Sequence, residues 1–246
     1  MPYEKFVPSV HKPITVQEVQ EIADLLNFNS STDQVLAFTE TISDAVRSLE
    51  LLDTLCEPIP EVKHPRTPGY RPQPEDRIGN AWAWRCDVQG APTGKLSGKT
   101  FAIKDNTAVA GVPMSNGSRL LQGYIPEYDA TVVTRILDAG FSGTDGYVTM
   151  PDKPDVRVGG SSSGSAVLVA TGEVDMALGA DQGGSIRIPA AWTGTVGLKP
   201  TFGLVPYTGL ISVEPRLDYA GTITRDVTDC ALFLELSFHY RLTRLS

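Results

Sequence analysis

The sequence predicts an α/β protein: a mixed sheet flanked by helices, preceded by an N-terminal helical segment. Two observations carry that reading. From about Ile78 onward, short apolar runs alternate with helical stretches and glycine turns, the pattern of a parallel or mixed sheet covered by helices. Residues 1–57, by contrast, place apolar side chains at three- and four-residue steps, the period of helices. Between the two lie six prolines, Pro58, Pro60, Pro65, Pro68, Pro72 and Pro74. Proline at that density stops both helix and central strand, so 58–77 is expected to be a linker and 78–246 a second, larger unit.

Taken in order, Thr15 and Glu18 have the spacing of a capping box, and Val19, Ile22, Leu25 and Leu26 follow on one face. A second helix is expected from a cap at Thr32, through Val35, Phe38, Ile42, Ala45, Val46 and Leu49, to near Cys56. These two helices should pair antiparallel. In the larger unit, Thr100 to Lys104 reads as a short strand with Phe101 and Ile103 on one side. Asp129 is expected to cap a helix through Val132, Val133, Ile136 and Leu137 that ends at Gly140. Ser165 to Thr171 reads as a helix stopped at Gly172, Val174 to Ala180 as a buried strand, and Asp226 to Leu236 as a helix. Gly143 to Met150 lacks the texture of an apolar strand.

Composition narrows the function. At 41% hydrophobic and 20% charged residues the chain is globular in type. Lys and Arg number 21 against 29 Asp and Glu, a net charge of -8 with no basic cluster, so nucleic acid is not an expected partner. No apolar run approaches the roughly 18 residues of a membrane span, and the start lacks a signal-peptide pattern. A soluble, cytoplasmic protein without membrane contact is expected. Cys56, Cys86 and Cys230 are scattered, as are His11, His64 and His239, a poor basis for a structural zinc site.

The densest chemical signal is Gly159-Gly160-Ser161-Ser162-Ser163-Gly164-Ser165, opening into an apolar helix. Such a turn presents backbone N–H groups and hydroxyls at a helix N-terminus. It can be read as a flexible, well-capped loop. A phosphate-binding loop would need a lysine that does not follow. A nucleophile elbow centred on Ser162 formally fits Gly-x-Ser-x-Gly and would make an esterase, with Asp218, Asp226 or Asp229 as the acid and His239, the only later histidine, as the base. A fourth reading takes in two more segments. Ala180-Asp181-Gln182-Gly183-Gly184-Ser185-Ile186-Arg187 sets a serine after two glycines at a strand exit, where consecutive N–H groups can converge on one oxyanion. Ser185 would be the nucleophile. Phe101-Ala102-Ile103-Lys104 puts a lysine at the end of an apolar strand, where burial depresses its pKa, and Lys104 would be the base.

These stretches, with Gly197-Leu198-Lys199-Pro200-Thr201-Phe202-Gly203-Leu204-Val205-Pro206, resemble the amidase signature family of serine hydrolases in order over most of residues 80–236. The 24 residues from Ser161 to Ser185 match the family's separation. The variant around Ser185 and the helical N-terminal segment are similar to bacterial and fungal amidases acting on small carboxamides. The resemblance implies a Ser-Ser-Lys triad. In it Ser185 would attack the carbonyl, and Ser161, expected on a non-proline cis peptide after Gly160, would relay the proton to Lys104. By the same resemblance the N–H groups of Gln182, Gly183, Gly184 and Ser185 would form the oxyanion hole, the substrate would be a small-molecule amide, and no metal, nucleotide or organic cofactor is expected. Ser162, Ser163 and Ser165 are expected as caps and loop anchors, with Asp181 and Arg187 as structural partners.

Members of that family have a longer stretch than Phe141 to Val158 and continue well past the helix Asp226 to Leu236. The expectation is therefore a partial core, poorly soluble or homo-oligomeric, with reduced activity. The alternative is an inactive fragment or interaction remnant of an amidase.

Overall fold

A computed structural model of the chain describes residues 13–55, 59–78, 81–145, 147–148 and 158–238. The chain divides into two compact units, Met1–Ile59 and Pro60–Ser246.

The first unit is two helices in contact, α1 (Val16–Leu25) and α2 (Thr32–Asp53). Both begin with a reciprocal capping box that satisfies donors a helix start leaves unpaired: Thr15 with Glu18 on α1, Ser31 with Gln34 on α2. The cap of α2 is thus Ser31, one residue before the expected Thr32, because Gln34 three residues on completes the box. Of their apolar side chains, Val19, Ala23 and Val35 are buried. Ile22, Leu25, Leu26, Phe38 and Leu49, expected on the buried faces, are exposed.

The second unit holds the sheet. Its strands are β1 (Cys86–Gln89), β2 (Phe101–Lys104), β3 (Ser142–Asp145), β4 (Tyr147–Val148), β5 (Met176–Asp181), β6 (Val196–Leu198) and β7 (Tyr219–Thr224). Five form one mixed sheet in the order β4-β2-β5-β7-β6, with β2 parallel to β4 and β5, and β7 antiparallel to β5 and β6. The stretch that lacked an apolar texture contributes β4 to this sheet and β3 to an antiparallel pair with β1, held by backbone pairing rather than by composition.

Strands β2 and β5 are buried along their whole length, so the sheet is covered on both faces. Side chains alternate with the period of two. Phe101, Ile103, Met176 and Leu178 enter a cluster with Ile136 and Leu137 of α3 (Thr131–Asp138) and Phe233 of α6 (Val227–Ser237). Ala102, Ala177 and Ile223 enter another with Leu168 and Val169 of α4 (Ser163–Ala170) and Ala190 of α5 (Arg187–Thr193). Phe101 stacks on Phe233 at 5.5 Å and meets the edge of Phe141 at 5.7 Å.

The helix expected after Asp129 is α3, but its cap is Ala130, with no side-chain cap bond. The Asp129 carboxylate is taken instead by the Arg66 guanidinium, at 2.6 and 2.8 Å, and by the Ala110 N–H. A bidentate ion pair outcompetes a single cap bond for the same oxygens. Arg66 belongs to the proline-rich run read above as a linker. From Pro60 that run lies in the second unit and pairs along β1: Thr67 N–H donates to Asp87, Gln89 N–H to Pro65, and Tyr70 and Arg85 bond reciprocally. At the end of the sheet where β2 begins, Asp175 accepts from the N–H and hydroxyl of Thr100 and from Arg225.

Candidate active site

Lys104 is the last residue of β2, between β4 and β5, and only 8% exposed. Its Nζ donates to Ser161 Oγ at 2.6 Å. Burial lowers its pKa from 10.5 to about 8, and the negative charge of Asp181 opposes a further fall. Ser161 is exposed and follows Gly160 through a cis peptide bond, as expected of the loop. The neighbouring serines serve structure. Ser163 Oγ donates to Gly159, Ser165 Oγ to Leu178 and Ser162 Oγ to Ala180, the last two tying α4 to β5.

Ser185 lies in the turn between β5 and α5, half-buried. Asp181 organises that turn. Its carboxylate, wholly buried, accepts from the N–H groups of Gly184, Ile186 and Arg187 and from Nε and Nη2 of Arg187. Burial alone would raise its pKa, but these bonds outweigh it and bring it down to about 2. Gly184 has φ of +120°, and a Cβ there would meet Ile188 at 2.6 Å, so only glycine fits. The two serine loops are joined by the backbone, Ser162 N–H donating to the Ser185 carbonyl at 3.1 Å. Among the described residues the Ser185 hydroxyl makes no hydrogen bond. The structure therefore brings Lys104 and Ser161 into direct contact and ties the Ser185 loop to them one residue away.

Of the four N–H groups assigned by resemblance to the oxyanion hole, that of Gly184 is committed to Asp181 at 2.8 Å and points at a fixed carboxylate. Gly183 is exposed. Gln182 is held by its side chain, whose Nε2 donates to Asp218 Oδ1 at 2.8 Å and to Tyr207 Oη at 3.0 Å. Tyr207 did not figure in the sequence reading, and Asp218 figured there only as a possible acid for the Ser162 elbow, not as a partner of Gln182. Their only local signal is an acidic residue directly before the apolar strand β7 and a tyrosine in a proline-glycine turn. Beside Lys104, Asp105 accepts from the N–H and hydroxyl of Ser115, and burial raises its pKa against those bonds.

Ser162, centre of the elbow reading, is 1% exposed with its hydroxyl turned to a backbone carbonyl, which leaves a substrate no approach. His239, its supposed partner, lies outside the described residues. Among the described residues no group of three or more His, Cys, Asp or Glu side chains could hold a metal ion, and no helix is long and apolar enough to cross a membrane.

The chain matches the Amidase family over residues 50–144 and 141–242. It is 47% identical over 177 residues to an enantioselective amidase of Rhodococcus rhodochrous, covering 63% of this chain and 34% of that protein. To a glutamyl-tRNA(Gln) amidotransferase subunit of Haloarcula marismortui it is 44% identical over 167 residues, 61% of this chain and 39% of the other. Among solved structures it resembles the corresponding amidotransferase subunit from Thermotoga maritima (TM-score 0.59, 34% identity, 68% of this chain and 41% of that one). It also resembles the native peptide amidase of Stenotrophomonas maltophilia (TM-score 0.55, 35% identity, 61% of this chain and 35% of that one). The matched region thus spans between a third and about two fifths of these proteins.

Proposed function

The chain belongs to the amidase family, and on that premise we propose that it hydrolyses the C–N bond of a small carboxamide to the carboxylic acid and ammonia through an acyl-serine intermediate. The observation that carries this reading is the 2.6 Å bond from buried Lys104 to the Ser161 hydroxyl, in a loop bonded to the backbone of Ser185. Neutral Lys104 accepts the Ser161 proton as Ser161 accepts that of Ser185, and Ser185 Oγ bonds to the amide carbon. Three N–H groups, of Gln182, Gly183 and Ser185, receive the developing oxyanion, because Asp181 holds the fourth. When the tetrahedral adduct collapses, the same proton returns through Ser161 to the leaving nitrogen and ammonia departs. Water then repeats the sequence on the acyl-serine and frees the acid. No cofactor is required.

One relative is by name a subunit of an amidotransferase, which supports association with further chains. The test is ammonia release from a panel of aliphatic and aromatic carboxamides. The wild-type chain should release it and Ser185→Ala should not, while Ser162→Ala retains turnover. Equal release by wild type and Ser185→Ala would sink the assignment.

A further inference from the structure

The polar groups that meet the Gln182 side-chain nitrogen come from separate stretches of chain. Its amide has two N–H donors, one on Asp218 Oδ1 and one on Tyr207 Oη. The Tyr207 hydroxyl, with one donor and two acceptor positions, fills all three: it accepts from Gln182 Nε2 and, at 3.4 Å, from Asn106 Nδ2, and donates to the Ile211 carbonyl. Asn106 is two residues past Lys104, and its own carbonyl accepts from Ile211 N–H at 2.7 Å. Asp218, 6% exposed, also accepts from Ser212 Oγ and from the N–H groups of Val213 and Glu214.

We propose that Tyr207 and Asp218 are positioning residues that set the turn of residues 182–185 in register with Lys104 by holding the Gln182 side chain between them. This rests on the amidase reading given above. An ionised carboxylate only accepts, so the amide nitrogen of Gln182 must face Asp218, and its orientation is settled by chemistry. Burial would raise the Asp218 pKa, but the bonds from Ser212, Gln182, Glu214 and Val213 hold it below the ordinary range, so it stays ionised at neutral pH. With its side chain pinned at two points, the Gln182 backbone cannot rotate freely, and its N–H and that of Gly183 keep their aim. Tyr207 carries the constraint on to Asn106, and so to the strand that ends in Lys104. A displacement of about 1 Å between base and nucleophile costs on the order of 100-fold in rate. The link is therefore one that chemistry would feel before folding did.

The experiment is labelling of Ser185 in the full chain by a small alkyl fluorophosphonate, followed by intact mass and peptide mapping, well below the melting temperature. Wild type should take one adduct, at Ser185. Tyr207→Phe, which removes one hydroxyl, and Gln182→Met, which keeps the length of the side chain, should each label roughly 10-fold or more slowly per folded molecule. The pH at which labelling is half-maximal should not move, because Lys104 keeps its surroundings. A network that serves stability alone would lower the melting temperature and leave the labelling rate of folded protein unchanged. Wild-type rates within a factor of about two in both variants would overturn the proposal. Absence of any Ser185 adduct in wild type would instead overturn the amidase reading, and the proposal with it.

Discussion

Lys104 shows how one buried group ties reactivity to stability. Its pKa of about 8 places the neutral, proton-accepting form within reach of mild alkali, so turnover should rise with pH to a plateau with a midpoint near 8. Below pH 8 folded and unfolded chains both hold the proton, and the folded state bears the cost of a buried ammonium, about 3 kcal/mol. Between pH 8 and 10.5 the folded chain has released a proton that the unfolded chain keeps, so stability rises with pH across that window. Lys104→Met should therefore be inactive yet melt higher than wild type at pH 7, with the gap closing by pH 10.5. A variant that melts lower at pH 7 would show that the ammonium is not destabilising. That Lys104 and the loops of Ser161 and Ser185 meet was legible in the sequence because each sits in a run of distinctive neighbours: an apolar strand before one, glycines before the others. The bonds of Tyr207 and Asp218 to Gln182 were not, although Asp218 stood among the acids of the elbow reading, since Gln182 lies 25 and 36 positions away along the chain and no spacing records a hydrogen bond that only folding creates. The commitment of the Gly184 N–H was hidden for the same reason, because a loop amide is available or taken according to where a carboxylate folds.

At the scale of elements, the apolar patterns located α1, α2, α3, β2, β5 and α6, gave the buried face of α3 correctly and misjudged burial in α1 and α2. In β2 the alternation holds, with Phe101 and Ile103 in one cluster and Ala102 in the other. In α2 the same kind of pattern leaves Phe38 56% exposed, because a pair of helices has little surface on which to bury a broad apolar face. Phe101→Ala should cost about 3–5 kcal/mol, for it removes a fully buried ring in contact with Phe141 and Phe233. Phe38→Ser should change stability by no more than about 0.5 kcal/mol. Urea unfolding of both variants checks the pair, and equal losses would mean that the helical face is covered after all. The missed cap at Asp129 belongs to this scale too. A residue suited to start a helix was drawn into a bidentate pair with Arg66, from a stretch whose prolines had marked it as a connector.

For the molecule as a whole, strand direction decides where everything polar collects. Strands β2 and β5 run parallel and end in Lys104 and Asp181, while β7 runs the other way and starts just after Asp218. Lys104, the turn that carries Ser185 and the residues that hold Gln182 therefore sit at one end of the sheet. At the other end, Asp175 holds Thr100 and Arg225 together and touches none of them. Replacing it by Asn should lower the melting temperature and leave turnover per folded molecule as in wild type, measured with any accepted carboxamide. Parallel losses in both would couple the two ends. If the two ends separate in that test, the architecture keeps two separate ledgers under the proposed activity: a change at the Asp175 rim is judged on endurance alone, and one at the Lys104 rim on what it does to a substrate.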